Sequence, residues 1–364
     1  MLLIDGHLDL AMNALNWDRN LDLDVREIRR AEAGMTEKGR GCGTVSLPEM
    51  RRAEVAVSLA TVIDRTARPN SPAPGSASQE ISYAKAQGQL AYYRVLEAQG
   101  KARLLTDWPA LESHWRAWQE RGAAEPLGFI LSMEGADPIV WPEQVSDWWE
   151  DGLRVVGISH YGVSAYAHGT GTEGGLTPLG KPLLQAMDRV GMILDLSHLA
   201  EQAFWEALDI FTGSVLASHN NCRALVPGDR QFSDAQINAI VQRGGVIGAV
   251  LDAWMLYPGW IKGQTPRTVV SLEAVADQID HICQVAGNAR HAAIGSDLDG
   301  GYGTEQCPYD LDTILDLQKI PHLLRRRGYS EADIAAIMHG NWLRLFREAW
   351  SLGETGNKSA GREF

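Results

Sequence analysis

The sequence predicts an α/β protein with a (β/α)8 barrel, and three observations support this fold class. Eight short apolar or β-branched runs recur along the 364 residues, and helical patterns separate them. Most of these runs are hydrophobic throughout, as is typical of strands that are buried on both faces of a parallel sheet. Eight alternating strand–helix units in a chain of this length favour a closed barrel.

The predicted strands are spaced so that a helix fits between most neighbours. They are Leu2–Asp5, Val55–Ile63, Gly128–Met133, Leu153–Ser159, Met192–Ser197, Ser214–Ser218, Gly244–Leu251 and Ala292–Asp297. The clearest helical patterns are Ser78–Gln99, Pro182–Val190, Glu201–Phe211, Ser233–Arg243 and Ser271–Ala286. Ser233 and Ser271 stand at expected N-caps, and Gly287 follows the last of these helices.

Parts of the chain extend beyond a minimal barrel. Leu10–Glu54 is a long first connection, and Ala67–Ser78 has the composition of an exposed loop. We expect closing helices at Leu311–Arg326, Glu331–Met338 and Trp342–Trp350. Residues 1–352 are assigned to one domain, and residues 353–364 to a disordered polar tail. An open doubly wound sheet is the alternative, but no G-x-G-x-x-G motif follows the first strand.

Composition and charge argue against several classes of partner. The net charge of −13 disfavours nucleic acids and anionic membrane surfaces. An anionic substrate stays open, because a local arginine dominates within a Debye length of about 8 Å. The four scattered cysteines predict reduced thiols in a cytoplasmic protein. We expect no transmembrane helix and no signal peptide, since long apolar runs and a charged apolar leader are both missing from the sequence.

Metal-ligand side chains stand at the C-terminal ends of the predicted strands. The first run ends in His7-Leu8-Asp9, and residues two apart in a strand point to the same face. The other strand ends supply Glu134, His160, His198, His219 and Asp297. In a barrel these ends meet at one face, where catalytic residues lie. The sequence therefore predicts a single site built from distant parts of the chain.

The residue types in this cluster point to a binuclear metal site. Three imidazoles and two carboxylates exceed the needs of one tetrahedral zinc with an open position, but suit two divalent ions about 3.5–4 Å apart. Glu134 is the expected bridging ligand, because none of the seven lysines stands where a carbamylated bridge would be needed. Without a cation, so much buried polarity would be costly. Asp5 and Asp195 are candidates for orienting the histidines from behind.

The motifs resemble those of the membrane (renal) dipeptidase family of metallopeptidases, over essentially the whole chain. They are His7-x-Asp9, Ser132-Met-Glu-Gly135, Asp195-Leu-Ser-His198, Ser218-His219, Arg230 and Gly295-Ser-Asp-Leu-Asp-Gly300. The resemblance implies a barrel of the metal-dependent hydrolase type, often dimeric, with two Zn²⁺ ions per chain. It also implies cleavage of dipeptides, including those with a C-terminal D-amino acid.

The resemblance assigns ligands to each zinc. The matched positions are His7 and Asp9 for one ion, His198 and His219 for the other, and Glu134 as the bridge between them. The sequence does not name the native metal, and Mn or Co are the substitutes we consider.

The remaining site residues match positions that contact the substrate. His160 matches a histidine that stabilises the oxyanion of the scissile carbonyl. Arg230 matches the arginine that binds the C-terminal carboxylate, although a surface pair with Asp229 or Asp234 is the alternative. Asp297 matches the acid/base that handles the proton of the attacking water, with Asp299 as a less favoured candidate.

We therefore predict a cytoplasmic zinc dipeptidase in which a metal-bridged hydroxide attacks the single peptide bond of a small dipeptide. The homodimer is expected from the resemblance alone. One alternative is a binuclear hydrolase of the same architecture that acts on an N-acyl amino acid or a lactone. Another is a non-catalytic barrel that keeps metals for stability, and the presence of His160 and Asp297 argues against it.

Overall fold

A ring of parallel strands forms the centre of the fold and determines where the site residues lie. The computed structural model describes residues 1–68 and 74–356. Its strands are β1 (Leu3–Leu8), β2 (Val55–Ile63), β3 (Ala102–Leu104), β4 (Leu127–Glu134), β5 (Leu153–Gly157), β6 (Ile193–Asp195), β7 (Val215–Leu216), β8 (Ile247–Ala249) and β9 (Ala292–Ile294). All eight predicted strands are present.

The strand order confirms the (β/α)8 barrel. Neighbouring strands pair in the order β7-β6-β5-β4-β2-β1-β9-β8, and every pair is parallel. A parallel bridge between Ala217 and Ile247 joins the two ends of this order and closes the ring. The doubly wound alternative is therefore wrong. The extra strand β3, which the sequence analysis missed, pairs with the beginning of β4.

Helices surround the ring and connect its strands. They are α1 (Leu10–Asn16), α2 (Val25–Ala31), α3 (Leu47–Arg52), α4 (Gln79–Ala98), α5 (Trp108–Arg121), α6 (Val145–Glu150), α7 (Gly180–Val190), α8 (Glu201–Ile210), α9 (Asp234–Gln242), α10 (Leu272–Ala286), α11 (Ile320–Arg326), α12 (Glu331–Ala335) and α13 (Asn341–Gly356). The five helices predicted from clear patterns are confirmed. Ser233 caps α9 through a reciprocal capping box, and Gly287 ends α10 in the left-handed conformation. None of the described helices is long and apolar enough to cross a membrane.

The closing segment differs from the prediction. Instead of one helix over Leu311–Arg326, a 3₁₀ segment at Ile314–Lys319 leads into α11. Pro321 lies in the first turn of α11, and a proline there favours a new helix start over continuation from the preceding segment. After α12, a π-helical turn at Ala336–Gly340 leads directly into α13.

Two predicted features lie partly outside the described residues. Helix α13 runs to Gly356 and so includes the first residues of the predicted tail, 353–364. The rest of that tail and residues 69–73 of the predicted loop Ala67–Ser78 lie outside the described residues. The long first connection Leu10–Glu54 contains α1, α2 and α3.

Three glycines let the backbones of neighbouring strands approach beneath the site. A Cβ atom on Gly6, Gly248 or Gly295 would lie 2.5, 2.2 or 1.8 Å from the carbonyl oxygen of Ser218. No side chain fits at such distances without moving the backbone. The strand end that carries His219 is therefore held against β1, β8 and β9 by direct backbone contact.

Asp299 fixes the first connection to the loop after β9. Its Oδ1 accepts hydrogen bonds of 2.7 Å from both the backbone N–H and the hydroxyl of Thr44. Its Oδ2 accepts a 3.0 Å bond from the backbone N–H of Val45 and faces Arg19 at 3.4 Å. These four donors occupy the buried carboxylate, which leaves Asp299 in a structural role.

We expect Asp299→Ala to lower the free energy of unfolding by about 3 kcal/mol, because it leaves buried donors and a buried guanidinium unpaired. Urea denaturation followed by circular dichroism measures this change. Asp209→Ala, at an exposed position on α8, is the matched control and should change stability by less than about 0.5 kcal/mol. Equal effects of the two substitutions would contradict the structural role.

Candidate metal centre

All the predicted site residues lie at the C-terminal edge of the barrel. They come from six strands or the loops that follow them: His7 on β1, Asp9 after β1, Glu134 on β4, His160 after β5, His198 after β6, His219 and Arg230 after β7, and Asp297 after β9. A cavity of about 1010 Å³ opens above them, and all except His7 line it. The structure thus brings the whole predicted set together.

Glu134 stands at the centre of the cluster, on the last residue of β4 between β2 and β5. Its Oε2 lies 3.8 Å from Nε2 of His7. Its Oε1 lies 3.1, 3.3 and 3.6 Å from the Nε2 atoms of His198, His219 and His160. One oxygen of the carboxylate therefore faces the imidazole of His7, and the other faces the three remaining imidazoles. A bridging ligand requires such an arrangement, with one oxygen directed to each side.

His198 and His219 direct lone pairs at each other and at Glu134. Their Nε2 atoms are 3.1 Å apart, while their Nδ1 atoms contact the hydroxyls of Thr170 at 3.0 Å and Ser218 at 2.9 Å. Thr170 donates its own proton to the carbonyl of His198, so it accepts the Nδ1–H. Burial lowers the pKa of both imidazoles, which keeps them neutral. Facing lone pairs of this kind fit a cation between them.

Two polar atoms on the other side of Glu134 are buried without a hydrogen-bond partner among the described residues. They are Nε2 of His7 and Oδ1 of Asp9, which lie 3.7 Å apart. Asp9 stands at the N-cap of α1, yet its side chain does not cap the helix. Burial alone would lower the pKa of His7, but the charges of Glu134, Asp9 and Asp297 raise it to about 10. This half of the site also fits a cation.

Asp297 and Asp299 differ in what they face. Asp297 lines the cavity with its Oδ1 3.9 Å from Nε2 of His7, whereas Asp299 is occupied by the first connection. Burial raises the pKa of Asp297 well above its usual value. The backbones of Asp297 and His198 have φ angles of 57° and 66°, a left-handed conformation that costs about 1–2 kcal/mol for such residues. The unfavourable backbone conformation at these two positions directs both side chains into the site.

Asp5 and Asp195 do not orient imidazoles, and that prediction is wrong. Asp5 accepts hydrogen bonds from the backbone N–H groups of His7 at 3.2 Å and Ser296 at 2.7 Å. Asp195 accepts equivalent bonds from the backbone, including one of 3.0 Å from Ser218. Each carboxylate therefore ties neighbouring strand ends together and fixes the backbone from which a site residue projects.

Arg230 is buried beneath the cavity wall with 3% exposure. One guanidinium nitrogen donates to the side-chain oxygen of Asn220, and another donates to the carbonyl of His219 at 2.9 Å. The alternative surface pairs are wrong, because Asp229 accepts from the backbone N–H of Gly171 and Asp234 contacts His281 at 2.7 Å. Among the residues that the structure describes, no carboxylate lies within ion-pair distance of Arg230, and its charge faces the cavity.

Two cavity residues were missed by the sequence analysis. Arg65 follows β2, and its guanidinium contacts Nδ1 of His160 and donates a 2.8 Å bond to the carbonyl of Pro74. Asp252 follows β8, and its oxygens accept bonds of 2.7 and 2.8 Å from Gln306. Both stand just after a predicted strand, so the strand-end criterion could have found them.

Solved structures share this architecture. The crystal structure of the dipeptidase AC, a metallopeptidase of family M19, aligns with 96% of this chain and 99% of its own at 23% identity, with a TM-score of 0.79. A second structure is that of a metallopeptidase from Rhodobacter sphaeroides, liganded with a phosphinate mimic of the dipeptide L-Ala-D-Ala. It aligns with 96% of this chain and 99% of its own at 22% identity, with a TM-score of 0.77. At these identities the likeness establishes the fold.

Sequence relatives connect the chain with proteins called dipeptidases. Dipeptidase aclJ of Aspergillus oryzae is 26% identical over 97% of this chain and 80% of its own length. An uncharacterized protein in the pqqA 5′ region of Klebsiella pneumoniae is 32% identical over 49% of this chain and 63% of its own length. Dipeptidase tcpJ of Claviceps purpurea is 30% identical over 54% of this chain and 45% of its own length. The latter two alignments span less than two thirds of those relatives. The family model for membrane dipeptidase, peptidase family M19, matches residues 1–360. This chain therefore belongs to the membrane dipeptidase family, peptidase family M19.

Proposed function

We propose that this chain is a metal-dependent dipeptidase that hydrolyses the single bond of a dipeptide. The observation that carries the proposal is the position of Glu134, which lines the same cavity as Arg230. One of its oxygens faces His7, and the other faces His198 and His219. This arrangement supports a binuclear hydrolytic site beside a cation for a substrate carboxylate.

Two zinc ions are the cofactors we propose. His7 and Asp9 would hold one ion, His198 and His219 the other, and Glu134 would be shared by both. Divalent ions bound there would acidify a water molecule and polarise the carbonyl of the scissile bond. The donor set of imidazole nitrogens and carboxylate oxygens suits zinc, and Mn or Co are the proposed substitutes.

The protein side chains would divide the remaining work of catalysis. Arg65 contacts Nδ1 of His160, so the imidazole, kept neutral by burial, carries its proton on Nε2. We propose that this N–H donates to the carbonyl oxygen as negative charge develops there. The positive charge of bound ions would offset the effect of burial and keep Asp297 ionised, so that it could accept the proton of the attacking water and deliver it to the leaving amine. Arg230 would bind the substrate's terminal carboxylate and hold the bond in place.

The stereochemistry of the substrate is part of the proposal. The related Rhodobacter sphaeroides enzyme binds a mimic of L-Ala-D-Ala, which supports acceptance of a C-terminal D-amino acid by this chain. An N-acyl amino acid is the second candidate, because its carboxylate would fit Arg230 equally well. A panel of dipeptides and N-acetyl amino acids distinguishes a dipeptidase from a hydrolase of N-acyl amino acids, since only the latter enzyme tolerates a substrate with a blocked amine.

We also propose a cytoplasmic location and a homodimer. The four cysteines are free thiols, and three of them are buried, which supports a reducing compartment such as the cytoplasm. The homodimer is proposed from the family resemblance. Light scattering of the purified chain measures its mass in solution.

We expect the purified chain to contain two divalent ions and to lose dipeptide hydrolysis when a chelator removes them, with recovery on adding Zn²⁺. Mass spectrometry of the metals, beside peptide hydrolysis assays, measures both. His198→Ala should reduce the metal content, whereas His322→Ala, at an exposed position on α11, should leave it at two. Full activity after complete metal removal would refute the proposal.

We expect Arg230→Ala to lower kcat/KM for dipeptides about 100-fold, mainly by raising KM, because the terminal carboxylate loses its buried partner. Steady-state kinetics on a dipeptide and on the same dipeptide with an amidated C-terminus measures the effect. The amidated peptide lacks the charge that Arg230 would bind, so its kcat/KM should change far less. Equal losses on both peptides would contradict the assigned contact.

We expect Asp297→Asn to lower kcat by about 100-fold to 10,000-fold with both metals retained, because an amide cannot accept the water proton. Kinetics and metal analysis on the same preparation separate the two properties. If the variant instead loses metal, Asp297 is primarily a ligand and its assignment as acid/base is incorrect.

A further inference from the structure

Two lysines stand in the cavity wall, away from the proposed metal ligands. Lys38 comes from the first connection, and Lys262 comes from the loop between β8 and α10. The chain has only seven lysines, and Lys38, Lys85 and Lys262 all line this one cavity. Apart from the proposed metal ligands and Asp297, the cavity lining has five cationic side chains and three carboxylates, namely Lys38, Arg65, Lys85, Arg230 and Lys262 against Glu37, Asp64 and Asp252.

The three lysines differ in their partners. Lys85 lies 3.7 Å from a carboxylate oxygen of Asp64. Within the described residues, neither Lys38 nor Lys262 has a carboxylate within 4.0 Å. The nearby acid Asp252 has both oxygens bonded to Gln306. Lys38 lies 5.8 Å from the ring centroid of Tyr302. In the described part of the chain, neither ammonium group forms an ion pair that an incoming anion would have to displace.

Lys38 and Lys262 are also close enough to repel each other. Burial, followed by the neighbouring charge of Lys38, lowers the pKa of Lys262 to about 8. Trp260, two positions before Lys262, lines the same cavity. Neighbouring ammonium groups that share no carboxylate repel each other unless a negatively charged group joins them.

We propose that Lys38 and Lys262 bind the acidic side chain of the substrate, so that the preferred dipeptides contain glutamate or aspartate. This inference rests on the proposed function. Arg230 would be occupied by the terminal carboxylate that every dipeptide carries, so a second carboxylate needs a cationic site of its own. The lysine pair provides that site in the same cavity.

Pairs of peptides that differ only in charge test the inference on the zinc-loaded chain. Ala-Glu is compared with Ala-Gln, and Glu-Ala with Gln-Ala, each with the C-terminal residue in L and in D form. We expect the acidic member of at least one pair to have a kcat/KM about tenfold or more above its amide counterpart. In the Lys38→Met/Lys262→Met double variant this ratio should fall to about one.

The ratio is taken within each variant, so a general loss of activity cancels. Lys38→Arg/Lys262→Arg keeps the charges and should retain the preference, as should Lys181→Met at an exposed position on α7. A ratio near one in the wild type at both positions would overturn the inference. A preference that survives in the double methionine variant would overturn it as well.

Calorimetric titration of the same peptides into Asp297→Asn measures binding without turnover. Tighter binding of the acidic peptides that depends on both lysines supports the site, even if the wild type hydrolyses none of them. In that case the proposed function fails and the inferred anion site stands. If the wild type hydrolyses Ala-Ala but shows no preference for an acidic peptide, the proposed function stands and the inferred anion site fails.

Discussion

The concentration of buried lone pairs around Glu134 is the constraint on which the rest of the site depends. Carboxylate oxygens and imidazole nitrogens approach within 3.1–3.9 Å, and the neutral His198 and His219 bring their Nε2 atoms 3.1 Å apart beside Glu134. In a dry interior, facing lone pairs of this kind are repulsive unless positive charge is added. The proposed ions would supply that charge, and their binding free energy would then add to the free energy of folding at this edge of the barrel.

The surrounding backbone is built to hold this unfavourable cluster in place. Asp5 and Asp195 fasten neighbouring strand ends through their N–H groups, while Asp299 fastens the first connection to the last loop. His198 and Asp297 adopt left-handed backbone conformations that residues other than glycine rarely adopt. The buried hydrogen bonds of Asp5, Asp195 and Asp299 thus offset the backbone strain and the repulsion at the site. Functional sites commonly reduce stability in this way, and the surrounding structure compensates for the loss.

Sequence reasoning located most of the fold and of the site, because both depend on patterns that are local. Continuous apolar runs marked the eight strands, and the polar residues that follow them marked the cluster. Strand β3 has three residues and no periodicity to detect. The role of Asp5 could not be foreseen, since its partner Ser296 is 291 positions away and is reached only after the ring closes. Arg65 was overlooked although it follows the same strand-end pattern.

The glycines beneath Ser218 have a consequence for how this barrel can diversify. Because Gly6, Gly248 and Gly295 place backbone directly against backbone, none of these three positions beneath the site accommodates a side chain. The loops at the rim carry no such restriction, so changes of specificity are accommodated there while the ring stays undisturbed. The same chemistry can in this way be offered to different substrates without altering the packing beneath Ser218.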